Sequence, residues 1–178
     1  DSMLHDGLND AFVDQHSGWV TEDLVTKFQI SRDAQDSWAV RSQQRFSTAQ
    51  AAGKFDSEIV AVEIPGRKGP TSFSRDEQNR PDATLESLAH LKPAFRPEGT
   101  ITAGNAPGLN TGAAAMIVAS EDWASQHGVA PVGRLVAFGV GAVEPGLFGL
   151  GPVPAVRQAL TRAGWSVSDL ERVEINEA

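Results

Sequence analysis

The side chains in this chain that could do chemistry are few. Four histidines, His5, His16, His90 and His127, are widely scattered, and no two stand at helical ligand spacing around a Glu, so no metal site is expected. The sequence of 178 residues contains no cysteine, which excludes disulfides, thiolate metal sites and a cysteine nucleophile within it. It has neither a Gly-x-Ser-x-Gly elbow nor a Walker-type loop. Gly139-Val140-Gly141 begins like a dinucleotide turn, but Glu144 stands at the third glycine and Pro145 interrupts the helix that would receive a pyrophosphate. Gly104, Gly108 and Gly112 recur at every fourth position among small residues, just before an apolar run. That spacing lets a backbone or a ligand approach closely, or makes a tight entry into a sheet.

Several elements must position these residues. Asp1 to Val20 shows no sustained periodicity and reads mainly as loop. Thr21 is suited to cap a short helix through Phe28, with Glu22 and Asp23 at the positive end of its dipole. Ser31 caps a longer helix in which Ala34, Trp38, Ser42, Phe46 and Ala49 line one buried face, and Gly53 ends it. Glu58 to Ile64 alternates as a strand closed by Pro65-Gly66. Arg67 to Pro107 is a Pro-, Gly- and charge-rich surface excursion with one short helix around Thr84 to Leu91; irregular regions of that length are more often functional than filler.

Beyond it the pattern changes. Ala113 to Ala119 is a continuous apolar run, as in a strand buried on both faces, and Arg134 to Val143 is a second such region. Between them Ser120 starts a helix that Gly128 stops. Pro152 to Ala163 is a helix with Val153, Val156, Leu160 and Ala163 inward and Gly164 at its end. Strands alternating with helices of this length indicate an α/β layered core.

A net charge of -8 would repel a nucleic-acid backbone over most of the surface. Gly66 to Arg96 departs from this, with six basic residues against four acidic ones, and so is either a solvated loop or the receiver of a small polyanion such as a nucleotide. No apolar run has the length of a membrane span, and the first residues lack the basic start and apolar stretch of a secretory signal; a cytoplasmic location is the expectation. The chain starts without Met and stops directly after the alternation of Val173 and Ile175, which reads as a piece cut from something longer.

Thr102-Ala103-Gly104-Asn105-Ala106-Pro107-Gly108-Leu109-Asn110-Thr111-Gly112-Ala113-Ala114-Ala115 resembles the thiolase pattern Thr-Ala-Gly-Asn-Ala-Ser-Gly-x-x-Asp-Gly-Ala-Ala-Ala. Gly149-Leu150-Gly151-Pro152-Val153-Pro154-Ala155 and Glu174-Ile175-Asn176-Glu177-Ala178 resemble two further signatures in the right order. The likeness extends to Asp6-Gly7-Leu8, Gly66-Arg67-Lys68-Gly69 and Leu91-Lys92-Pro93-Ala94-Phe95, and so spans essentially the whole chain.

The resemblance implies an α/β, five-layered αβαβα thiolase fold. Residues 1–109 would be most of the lid or loop domain of the N-terminal half, 110–130 the end of that α/β half, and 131–178 the start of the C-terminal half. It implies acyl transfer between a cysteine acyl-enzyme and a coenzyme A thioester in fatty-acid metabolism, with both cysteines and the activating histidine outside these residues. The CoA thioester would be substrate, with no resident cofactor, and the whole protein a homodimer or homotetramer binding neither nucleic acid nor membrane.

By the same resemblance Asn176 is the asparagine that holds a water in an oxyanion hole, although a strand-end Asn taken alone caps a turn. Arg80 matches an arginine near the nucleotide of CoA and Ser87 a pantetheine-side contact. Leu8, His16, Phe95, Ala103 and Leu109 match the tunnel wall, and Pro107, Phe148 and Ala178 complete the set of substrate-binding positions. Taken alone, His16 and Phe95 read as core or loop packing. Ser17 and Phe148 stand at common Met positions, and Pro107 replaces a Ser, so it brings neither a hydroxyl nor a backbone N–H. These departures leave open a catalytically silent CoA-binding or partner subunit. A standalone enzyme using His and carboxylates is not supported by any visible constellation.

Overall fold

The computed structural model describes residues 1–110 and 112–176 and divides into two compact units, Asp1–Leu24 with Leu109–Ala178, and Val25–Gly108. The first unit opens not on loop but on a π-helical turn, Met3–Leu8, and a short antiparallel hairpin of β1 (Asn9–Asp10) and β2 (Gln15–His16). The Asp10 carboxylate closes the hairpin turn by accepting the N–H groups of Phe12 and Val13 at 2.8 and 3.1 Å. Helix α1 (Ser17–Lys27) starts earlier than Thr21, whose hydroxyl donates to the Ser17 carbonyl at 2.8 Å instead of capping. The cap comes from His16: its Nδ1 accepts the Gly18 N–H at 2.9 Å, a job the local sequence pattern assigns to Ser or Thr.

Helix α5 (Pro152–Ala163) begins with proline in its first turn and ends at Gly164, whose φ of 70° is the left-handed cap expected of a glycine. Of its expected inward face Leu160 and Ala163 are half-buried, but the first two positions differ. Val153 and Val156 are about half exposed, and the segment 138–141 lies instead against Ala155 and Ala159. A Cβ on Gly139 would overlap the Ala155 carbonyl oxygen, and one on Gly141 would stand 2.8 Å from the Ala155 nitrogen. Gly139-Val140-Gly141 is therefore a helix-packing surface. Gln158 Oε1 accepts the Val140 N–H at 3.0 Å and Arg162 donates to the Phe138 carbonyl at 2.7 Å, so two α5 side chains satisfy backbone groups of this segment.

The apolar runs at 113–119 and 134–143 do not form paired strands among the described residues, nor does the segment leading to Asn176. Met116, Ile117 and Val118 are 84, 95 and 75% exposed, and Val173 and Ile175 are open too. The physical reason is direct: a buried strand needs neighbours for its N–H and C=O groups and cover for both faces, and the described residues supply neither. The connecting helix α4 (Glu121–Gln126) keeps its expected Ser120 cap, at 3.2 Å to the Trp123 N–H.

In the second unit Ser31 caps α2 (Arg32–Ala51) as expected, accepting the Ala34 N–H at 3.2 Å. The face it buries is not the one expected. Trp38 is 58% exposed and lies under the Arg41 guanidinium, Ala34 and Ser42 are exposed, and only Phe46 and Ala49 of that row are half-buried. The inward row is Arg32, Asp36, Val40, Gln43 and Ser47, because α2 packs on irregular chain whose backbone groups demand polar partners. The strand predicted from Glu58 is shorter, β3 (Val62–Ile64), and pairs antiparallel with β4 (Thr71–Phe73) in the register Val62↔Phe73. The expected short helix is α3 (Leu85–Ala89), fixed by a reciprocal capping box between Thr84 and Ser87. Val25, Val40, Leu88 and Ile101 are the buried apolar residues here. Among the described residues no helix is long and apolar enough to cross a membrane.

Candidate functional site

Within the second unit the Thr-Ala-Gly-Asn segment is held by a chain of buried polar contacts. Thr102 is fully buried; its N–H donates to Asn105 Oδ1 at 2.8 Å and its hydroxyl oxygen accepts the Gly104 N–H at 3.1 Å. Asn105 Nδ2 in turn donates to Asp36 Oδ1 at 2.9 Å and to the Thr100 carbonyl at 3.1 Å. Asp36, only 3% exposed, accepts Arg32 Nε at 2.7 Å, and Arg32 Nη2 reaches the Leu88 and Leu91 carbonyls at 2.5 and 3.3 Å. The network thus ties α2 to the end of α3 and to residues 100–105. Each polar group buried here has a partner, which is what makes such a network stiff.

Gly104 lets this turn sit against α3. A Cβ there would stand 2.6 Å from Leu91 Cδ1 and 2.9 Å from Leu88 Cγ, and its φ is not in the left-handed region, so packing alone demands the glycine. The close approach foreseen for it is therefore to protein. An antiparallel bridge joins Pro93 to Thr102, and the Ala94 N–H donates to the Ile101 carbonyl at 2.8 Å. Ser87 on α3, Phe95 and Ala103 are thereby brought onto neighbouring backbone around Leu88 and Thr102.

The Ser87 hydroxyl is already engaged, donating to the Thr84 carbonyl at 2.9 Å and accepting the Thr84 N–H at 3.0 Å. One lone pair is left, so it can accept a further donor but has no proton to give. Phe95 is half-buried, while Ala103 and Pro107 are exposed. Arg80 is exposed, with Nη1 donating to the Glu77 and Asn79 carbonyls at 2.7 and 3.2 Å and its backbone N–H to Gln43 Oε1 at 2.8 Å.

The remaining candidates belong to the first unit. Leu8, at the end of the π-helical turn, is half-buried, and Leu109 is 64% exposed. His16 is half-buried and caps α1; with Nδ1 accepting, the neutral ring carries its proton on Nε2. Phe148, 39% exposed, starts the short 3₁₀ turn Phe148–Leu150 that leads into α5. Asn176 is exposed and does not stand at the end of a paired strand. Ala178, like Glu177 and Thr111, lies outside the described residues. Among those described, no three His, Asp or Glu side chains converge as metal ligands.

Sequence reasoning missed Arg32, Asp36 and Gln43. The Arg32–Asp36 spacing of four was a visible signal for a helical ion pair, but its burial was not, since Asn105 lies 69 residues further on.

The family model for the N-terminal domain of thiolase matches residues 1–122 and that for the C-terminal domain matches 129–178. An acetyl-CoA acetyltransferase of Paracoccus denitrificans is 51% identical over 178 residues, all of this chain and 46% of the relative. The crystal structure of the Bacillus anthracis acetyl-CoA acetyltransferase superposes with a TM-score of 0.93 at 42% identity, covering all of this chain and 45% of that one. Human mitochondrial 3-ketoacyl-CoA thiolase in complex with CoA does so at 0.85 and 38%, covering all of this chain and 44% of that one. The chain spans about half the length of the proteins it matches.

Proposed function

This chain belongs to the thiolase family and has its α/β fold, and from that premise we propose that it works in an acyltransferase that joins or thiolytically cleaves 3-ketoacyl-CoA. The observation that carries this reading is the match of both family domains, in order, along one chain that also superposes throughout on a CoA-complexed thiolase. On this reading residues 1–109 are the lid domain, 110–130 close the N-terminal α/β half and 131–178 open the C-terminal half. The whole enzyme is a cytoplasmic homodimer or homotetramer of fatty-acid metabolism, with CoA thioester as substrate and no resident cofactor.

In the second unit Arg80 meets the nucleotide of CoA. Ser87 accepts a pantetheine N–H with its remaining lone pair, and Phe95, Ala103 and Pro107 flank the carrier. The Asp36–Asn105 network supports this by fixing the backbone that bears Ala103. In the first unit Leu8, His16, Leu109, Phe148 and Ala178 are wall positions, and Asn176 orients a water toward the thioester oxygen as negative charge develops on it. The nucleophilic cysteine, its activating histidine and the second cysteine are supplied from outside these residues. In the joining direction the thiolate sulfur bonds to the acyl carbon, the carbon–sulfur bond to CoA breaks and CoA leaves with a proton. In cleavage the sulfur bonds to the 3-keto carbon, the carbon–carbon bond to C2 breaks and C2 of the departing CoA thioester takes the proton, so either way one acyl transfer is split into two steps.

Pro107 favours a second reading, a silent CoA-binding subunit, since it can make no hydrogen bond of its own to pantetheine through N–H or hydroxyl. Thiolysis of acetoacetyl-CoA by the complete gene product separates the two. The enzyme reading expects turnover that Asn176→Ala lowers roughly 10²- to 10³-fold in kcat. CoA binding without turnover refutes it and leaves the silent subunit.

A further inference from the structure

We propose that Gln43, acting with Asn79, is a positioning residue for the phosphorylated nucleotide end of CoA: it fixes Arg80 so that one edge of its guanidinium is held ready for a phosphate. The proposal rests on the CoA reading above. Gln43 is half-buried on α2, and its Oε1 accepts both Asn79 Nδ2 at 2.9 Å and the Arg80 N–H at 2.8 Å. Asn79 is gripped on its other side too, with Ser47 Oγ 2.9 Å from its Oδ1, and its Nδ2 also reaches the Gln43 carbonyl at 3.2 Å. A regular helix therefore holds the backbone of residues 79–80, in a stretch that otherwise has no regular structure.

The head group of Arg80 is fixed as well. Its Nη1 protons are taken by the Glu77 and Asn79 carbonyls, at 2.7 and 3.2 Å. Among the described residues Nε and Nη2 meet no acceptor. Those two nitrogens form the fork that receives two oxygens of a phosphate in parallel. Because Asn79 is itself one of the groups holding Nη1, the Gln43 clamp sets both the backbone and the head of the arginine. An arginine so held loses little rotamer freedom when the ligand arrives, whereas an unanchored one is ordered at the expense of affinity.

The test is a binding titration of the full chain with CoA and with pantetheine, which lacks the nucleotide. Gln43→Met keeps the side-chain volume and removes the acceptor; Asn79→Ser breaks the same clamp from the loop side. Both are expected to weaken CoA about 3- to 10-fold while leaving pantetheine unchanged. Arg80→Ala is expected to weaken CoA more, and in that background Gln43→Met adds nothing, because its effect passes through the arginine. Equal weakening of CoA and pantetheine, an unchanged CoA affinity, or an undiminished Gln43→Met effect without Arg80 would overturn the proposal and leave the CoA reading standing. Failure of the unsubstituted chain to bind CoA at all overturns both.

Discussion

Replacing Asp36 by Ala tests whether the polar face of α2 holds the Thr102–Asn105 turn. Asp36 is 3% exposed and accepts from Arg32 and Asn105, so its removal leaves a guanidinium that is only 22% exposed without its carboxylate and takes one of two acceptors from Asn105 Nδ2. Breaking a buried pair by deleting one partner costs about 3–5 kcal/mol, against about 0–1 kcal/mol for an exposed pair. Hydrogen exchange reads this locally. The Thr102 and Gly104 amides, bonded to Asn105 Oδ1 and Thr102 Oγ1, are expected to lose roughly 10²- to 10⁴-fold in protection, with the α5 amides unchanged. Replacing both members by apolar residues, Arg32→Met with Asp36→Leu, is expected to lose less than Asp36→Ala, since no charge is then stranded. A loss of tenfold or less at Thr102 after Asp36→Ala would mean that α2 does not hold this turn.

Gly104→Ala is expected to lower the stability of the second unit by about 1–3 kcal/mol in urea unfolding, because its Cβ meets Leu88 and Leu91. Gly139→Ala should be more damaging, since the obstacle is the Ala155 backbone, which cannot rotate away; the readout is faster exchange of the α5 amides and of Val140. Asp10 is held below the usual carboxylate value of 3.8, first by the Phe12 N–H and then by that of Val13. Its lowered folded value means that its contribution to the hairpin is complete above 3.8 and disappears as pH falls through the lower one, so a carboxyl NMR titration should show a midpoint below 3.8. Ser31→Ala removes the α2 cap and should cost about 1 kcal/mol in the same unfolding assay.

Features that local chemistry decides were legible in the sequence. The Ser31 and Ser120 caps, the Gly164 stop and the Thr84–Ser87 helix start depend on groups three or four residues apart, and they stand where the pattern put them. The buried face of α2 was not legible, because apolar spacing identifies a face that seeks oil, and this helix instead turns Asp36 and Gln43 onto loops whose backbone needs partners. The apolar runs at 113–119 and 134–143 were identifiable as strand-forming sequence, but pairing requires neighbours that no pattern within the run can supply. Gly104 announced a close approach without saying to what, and α3 is the answer; Gly139-Val140-Gly141 read only as a broken dinucleotide turn, and its packing on α5 was not foreseen. For the candidate site, family motifs marked Arg80, Ser87 and Ala103, while the anchors behind them, 37 residues from Gln43 to Arg80 and 69 from Asp36 to Asn105, carry no signature in a single sequence.

On the function proposed above, residues 80, 87, 95, 103 and 107 of the second unit meet coenzyme A. Hydrogen exchange of the chain with and without CoA tests it most directly. Slower exchange is expected in residues 79–87 and 94–106, with no change in residues 152–163. Unchanged exchange in both of those stretches, or protection confined to α5, would contradict it.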